Sequence, residues 1–258
     1  MARLPNAIIL SLKLMEHIEP NKPINRYIEV AVLIALVVLY GWASYERNLI
    51  WKDEMSLWTD VLKKSPHKAR PHNLFGVALT NEGNYDKAIA EIATSLSISP
   101  NPIRYVALGN VYREKGLFDA AIAQYFKALS LKPDFHDVYV NIGNVYMKMG
   151  LLDRAMDEYR KTMQFNPTCL EAYINISAVY GLKRQYEDSL HYLSKALELD
   201  PDNPDAHYNL GVTYYSLGLF EKSISEYKKV LEMRPDDRQA LYNLETLRSR
   251  NLGQGRIP

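Results

Sequence analysis

The sequence predicts an all-α fold, a solenoid of stacked helical hairpins, on three observations. Proline recurs at a near-constant interval, with Pro66, Pro100, Pro133, Pro167, Pro201 and Pro235 spaced by 34, 33, 34, 34 and 34 residues. Small residues keep the same register: Gly76, Gly109, Gly143, Ser177 and Gly211 at the eighth place of each unit, and Gly83, Gly116, Gly150, Arg184 and Gly218 at a turn. Between these marks the packing residues keep helical spacing. In the last unit His207, Leu210, Gly211 and Tyr214 fall at i, i+3, i+4 and i+7, which puts them on one face. Ser223, Tyr227, Val230 and Leu231 share a face in its second half. One such hairpin has too little apolar area to fold alone and requires a similar neighbour.

The chain before the array is organised differently. Residues 1–26 hold a weakly amphipathic run, Ala7 to Ile18, interrupted by Lys13 and followed by a polar, proline-bearing link. That run is too short to span a bilayer; an interfacial helix and the end of something larger both remain open. Residues 27–47 are expected to form one transmembrane helix. Val30 to Tyr45 carries no charge, Tyr27 and Tyr40, Trp42 and Tyr45 edge it, and Arg26 and Arg47 bracket it, the arrangement of an apolar span with interfacial rings. A cleaved signal peptide is the rival, with Gly41 and Ala43 as small residues at the cleavage spacing; the long leader and Glu29 weigh against it. Lys13, Lys22 and Arg26 on one side balance Arg47, Lys52, Lys63 and Lys64 on the other, so charge does not fix orientation. Residues 48–68 read as a junction and half repeat, with Trp58, Val61 and Leu62 at packing places. Counting back puts Trp42 and Tyr45 at the eighth and eleventh places of its first helix.

Five full units follow, 69–101, 102–135, 136–169, 170–203 and 204–237. Glycine at the eighth place lets the two helices approach, facing Ala88, Ala121, Ala155, Ser189 and Ser223. Glycine at the turn supplies a left-handed conformation, and proline ends the second helix. Most of the 19 tyrosines fall on packing places, among them Tyr112, Tyr146, Tyr180 and Tyr214 in first helices and Tyr125, Tyr159 and Tyr227 in second helices. The fourth unit departs furthest, through Ser177, Arg184 and Ser189, and is expected to fold with looser packing. Residues 238–250 read as a capping helix, with Leu241 and Leu244 apolar and Glu245 and Arg248 polar, and residues 251–258 as a frayed tail.

The 34-residue pattern of small, large and turn positions resembles the tetratricopeptide repeat over about Ala69 to Arg250. The resemblance implies a right-handed solenoid whose groove is lined by first helices. On that helix Asn141, Asn175, Asn209 and Asn243 recur at the sixth place, and Asn110 and Asn144 at the ninth. A side-chain amide both donates and accepts, so such a row can bond an extended peptide backbone without reading its side chains. The row resembles the asparagine ladder in the repeat domain of O-GlcNAc transferase, though asparagine at this place is also common as solvated surface. Tyr208, Tyr215 and Met147 are candidate apolar anchors. Repeats that clamp a C-terminal carboxylate need lysine at the fifth place, where Val106, Val140, Ile174 and Tyr208 stand here, so that reading is rejected.

The expected partner is therefore another protein or an extended peptide, and the membrane through the N-terminal helix. A net charge of +1 argues against a nucleic-acid binder. No catalytic residue, cofactor, metal or small-molecule substrate is expected. His17, His67, His72, His136, His191 and His207 lack metal-ligand spacing, Cys169 is the lone cysteine, and phosphate-loop, dinucleotide and nucleophile-elbow motifs are missing. Asp236 and Asp237 sit in an inter-repeat loop, as solvated charges or helix caps. Finally, Arg47-Asn48, Trp51 to Glu54, Ser56 to Trp58, Lys64 to Pro66 and Ala69 to His72 resemble the boundary between a polytopic domain and C-terminal repeats in large bacterial membrane proteins. Those are similar in layout to transmembrane and tetratricopeptide-repeat O-mannosyltransferases. That resemblance implies repeats on the periplasmic side of a bacterial inner membrane. It also opens a second reading, an accessory domain presenting substrate to a membrane glycosyltransferase of O-mannosyl or O-GlcNAc type. A repeat protein secreted after cleavage near Ala43 is a third.

Overall fold

The computed structural model describes residues 23–50 and 53–253, with side chains described over 30–45 and 53–249. The amphipathic run at 7–18 and the last five residues of the tail lie outside the described residues. Every regular element among the described residues is a helix. The chain forms two compact units, Met1–Pro66 and His67–Pro258.

The first unit holds α1 (Pro23–Ile50) and α2 (Glu54–Lys64), which touch one another. Asp53 caps α2: its carboxylate accepts from the Ser56 N–H at 2.7 Å, closing a capping box. Among the described residues no helix is long and apolar enough to cross a membrane, so the expected span is not found. The uncharged run from Val30 to Tyr45 has 16 residues, short of the roughly 20 that a hydrocarbon core requires. Trp42 and Tyr45 are 63% and 59% exposed, unlike the buried eighth places of the array, and no residue of α2 is fully buried.

The second unit is a run of five hairpins: α3 (Ala69–Asn81) with α4 (Tyr85–Ile98), α5 (Pro102–Glu114) with α6 (Phe118–Leu131), α7 (His136–Lys148) with α8 (Leu152–Phe165), α9 (Leu170–Leu182) with α10 (Tyr186–Leu199), and α11 (Pro204–Ser216) with α12 (Phe220–Met233), followed by α13 (Arg238–Gly253). Each second helix packs on the next first helix, and α3 also meets α5, α7 meets α9 and α9 meets α11. First helices that touch across hairpins line the inner side of the stack.

Within hairpins the close approach is set by glycine. A Cβ added to Gly143 would lie 2.4 Å from Cε1 of Tyr159, and one on Gly109 would lie 2.5 Å from Cε1 of Tyr125. Both rings are fully buried there, as Tyr227 is beside Gly211. Between hairpins a second rule operates. Tyr139 and Tyr173 donate to the carbonyls of Pro133 and Pro167, each at 3.0 Å. His207 replaces that tyrosine and keeps the bond, its Nε2 lying 2.9 Å from the Pro201 carbonyl, while Nδ1 lies 2.6 Å from Glu226. Asp237 caps α13 through the Gln239 and Ala240 N–H groups. Ala240, Leu244 and Leu247 of α13 cover Tyr227 and Val230, whereas Leu241, expected among the apolar residues, is 39% exposed. The helix continues to Gly253, past the expected end at 250.

The turns share one geometry. Glycine takes φ of 74° to 81° at four of them, and Arg184 takes φ 60° at the fourth-repeat turn, the one non-glycine residue of positive φ among the described residues. The turn bonds persist there, from the Arg184 N–H to the Gly181 carbonyl and from the Gln185 N–H to the Tyr180 carbonyl. A left-handed L-residue costs roughly 1–2 kcal/mol, so Arg184→Gly is expected to stabilise the protein by about 1 kcal/mol. Thermal and denaturant unfolding of the variant measure it, and a neutral or destabilising result would show that the arginine side chain compensates.

Candidate functional site

Each asparagine of the predicted row sits half-buried on the inner-side helices, and the structure gives most of them work inside the stack. The Tyr125 hydroxyl donates to Asn110 Oδ1 and the Tyr159 hydroxyl to Asn144 Oδ1, both at 2.7 Å. Asn110 and Asn144 are thus acceptors for the two phenols wedged under their neighbouring glycines. Asn175 Nδ2 donates to the same Asn144 oxygen at 3.0 Å, and Asn144 Nδ2 approaches Glu171 at 3.4 Å. Asn141 Oδ1 accepts from Arg113 at 3.4 Å. Asn243 Nδ2 donates to the Tyr208 hydroxyl at 3.2 Å. The sixth-place amides therefore reach back to the preceding first helix.

Asn209 is the exception. Its backbone carbonyl accepts from Thr213, but among the described residues its side-chain amide makes no hydrogen bond. The preceding first helix offers Ala178 where α7 offers Asn144, which removes the partner. Beside Asn209 lies a hollow of about 390 Å³ lined by Met147, Ala178, Gly181, Leu182, Tyr186 and Tyr208, with Val212 and hydroxyl residues below. No lining residue is charged. A second hollow, about 430 Å³, lies between α11 and α13 and joins Tyr208, Tyr215, Tyr227, Tyr242 and Asn243. A third, about 590 Å³, lies between α3 and α5 and includes Asn110, Arg113 and Glu114. It also includes Asn73, whose buried Oδ1 has no hydrogen-bond partner.

Of the residues singled out in the sequence, Met147, Tyr208 and Asn209 meet at the first hollow, and Tyr208, Tyr215 and Asn243 at the second. Asn110 lines the third, and Asn141, Asn144 and Asn175 line none of the three. Sequence reasoning did not single out Ala178, Gly181, Leu182 or Asn73. For the first three the signal was the irregularity of the fourth repeat, read there only as looser packing.

Burial pushes the Tyr125 and Tyr227 phenols up from 10.0 to about 12 and raises Tyr159 as well. Burial also raises the Cys169 thiol, away from the thiolate form that reacts. Among the described residues no group of histidine, cysteine or carboxylate side chains could hold a metal ion.

The repeat geometry is matched by family descriptions. "Tetratricopeptide repeat" covers residues 69–102, 136–169 and 204–237, and "TPR repeat" covers 109–150 and 182–218. The chain belongs to the tetratricopeptide-repeat family. Among solved structures it is similar to TTC0263, a thermophilic repeat protein of Thermus thermophilus, with a TM-score of 0.60 and 21% identity over 69% of this chain and 98% of that one. It is similar also to YrrB, described as a repeat protein with an unusual peptide-binding site, with a TM-score of 0.50 and 24% identity over 72% of this chain and 96% of that one. Among curated proteins, protein O-mannosyl-transferase TMTC3 of Mus musculus is 27% identical over 114 residues. That match takes in 44% of this chain and 12% of the length of that protein.

The three buried phenols make the tetratricopeptide stack alkali-sensitive. Their pKa is higher folded than unfolded, so the stability they lend is whole below pH 10.0 and is lost as pH rises toward 12. Tyrosinate absorbance and helical circular dichroism followed together should show most tyrosines ionising with helicity retained, then a last group ionising as helicity falls. Complete ionisation without loss of helicity would contradict the burial.

Proposed function

We propose that this chain is a tetratricopeptide-repeat scaffold that captures an extended segment of another protein along its inner face and performs no chemistry itself. The observation that carries the reading is Asn209: an amide with no internal hydrogen bond, at the rim of an uncharged hollow, on the helix face that neighbouring asparagines share. A peptide group offers one donor and one acceptor, and a free carboxamide matches both. The other asparagines stiffen the face on which the segment lies. Asn209→Ala is expected to weaken capture of a permanently unfolded, carboxymethylated polypeptide about 5- to 10-fold, the worth of roughly one hydrogen bond, with helicity unchanged. Equal capture by the variant would remove Asn209 from the site.

The O-mannosyl-transferase relatives favour a second reading, in which these repeats present polypeptide substrate to a membrane glycosyltransferase whose catalytic part is outside this chain. Both readings put the chain at a membrane, and the junction resemblance adds a bacterial inner membrane with the repeats on the periplasmic side. What supports anchoring is the uncharged run Val30 to Tyr45 of α1, where Ile34, Val37, Val38 and Leu39 are 59–70% exposed, a surface that water disfavours. The full chain is expected to float with phosphatidylcholine vesicles at high salt, and Val37→Asp with Val38→Asp to release it. A wild-type chain that stays unbound withdraws the anchor.

A further inference from the structure

We infer that the hollow of the fourth repeat is a side-chain subsite, taking one uncharged aliphatic side chain of about leucine size whose adjoining peptide group is held by Asn209. This rests on the peptide-capture reading and adds which side chain is selected and where.

The hollow is made by absences. At the ninth place of the unit Asn110 and Asn144 give way to Ala178. At the twelfth, Arg113 and Met147 give way to Gly181. A Cβ added to Gly181 meets nothing within 4 Å, so the place is open. Apart from the Asn209 amide and the Tyr186 hydroxyl, the polar side chains around it are engaged. Ser177 donates to the Ile174 carbonyl, Ser189 pairs with Thr213, Ser216 donates to the Val212 carbonyl, and the Tyr208 hydroxyl accepts from Asn243. What remains is the Asn209 carboxamide, the Tyr186 hydroxyl and otherwise apolar, uncharged walls.

That inventory selects the occupant. An ammonium or carboxylate would lose hydration without gaining a counter-charge, which disfavours it. A peptide unit with an aliphatic side chain matches the amide with its backbone and the walls with its side chain. The volume, about 390 Å³, lies at the low end of the roughly 300–1,000 Å³ of ligand pockets, and suits one residue.

Met147 lines the hollow, so its methyl group reports on it. The test is a titration of the full chain, ¹³C-labelled at methionine methyls, with N-acetyl-leucine methylamide and its glycine and lysine analogues. The leucine compound is expected to shift the Met147 signal at concentrations about 10-fold lower than the analogues, from the transfer free energy of its side chain. Gly181→Met, which restores the residue of the third repeat, and Ala178→Asn, which restores its amide, should each abolish that shift with helicity intact. Equal response to all three compounds, or a shift that survives both substitutions, overturns the subsite. So does an equal response to amide-free 4-methylpentanol, which would mark a lipid-like occupant, or a shift driven by protein concentration alone, which would mark a second copy. Capture of the unfolded polypeptide is read in parallel. Capture without leucine preference overturns the subsite and leaves the scaffold reading standing, whereas leucine preference without capture overturns the scaffold reading.

Discussion

The contact on which the array depends is a tyrosine ring laid flat on a glycine. In the second, third and fifth repeats the ring of Tyr125, Tyr159 or Tyr227 occupies the space that a Cβ on Gly109, Gly143 or Gly211 would need. The ring spans the hairpin, so its hydroxyl emerges toward the first helix. In two repeats it ends on an asparagine oxygen there. A buried phenol without an acceptor costs roughly 1–3 kcal/mol, so these asparagines are tied to the core before any ligand is considered. Asn175, bonded to Asn144, extends the link to the next repeat. The polar row of the inner face is thereby continuous with the packing beneath it.

This explains what could be read from the residues and what could not. The repeat was legible because proline, turn glycine and small residues obey a fixed period, and each has one local job. The face of the asparagines was legible for the same reason. Their bonding was not, because spacing fixes the direction of a side chain and leaves its partner open. Asn144 and Ala178 occupy the same place, and only the fold reveals that exchanging one for the other frees Asn209 in the repeat beyond. The apolar α1 shows the limit of composition: an uncharged run names a solvent preference, while spanning needs length as well.

The inner face has two characters. Around α3 and α5 it carries amides and charge, with Asn73, Asn110, Arg113 and Glu114 beside Val77, Ile103 and Val106 about one hollow. Around α9 and α11 it is uncharged, and toward α13 it is rich in tyrosine. An extended chain crossing all of these would meet amide and charge at one end and apolar surface at the other. On the peptide-capture reading proposed above, such polarity would give a bound segment a direction, which a uniform row of asparagines would not.

The fourth repeat breaks several rules together. Serine replaces the eighth-place glycine, leucine the tyrosine above it, and arginine the turn glycine at φ 60°. The substitutions at the core fit one another: Leu193 and Ser177 are both fully buried, so the shorter aliphatic chain accommodates the extra hydroxymethyl group. No comparable compensation accounts for Gly181 and Ala178, which face open space. A stack selected for stability alone would fill that space, since each methylene buried is worth about 0.8 kcal/mol. Departures from local consistency without a structural return concentrate where a protein binds something. Here the departure on α9, the unengaged amide on α11 and the uncharged walls meet at one hollow.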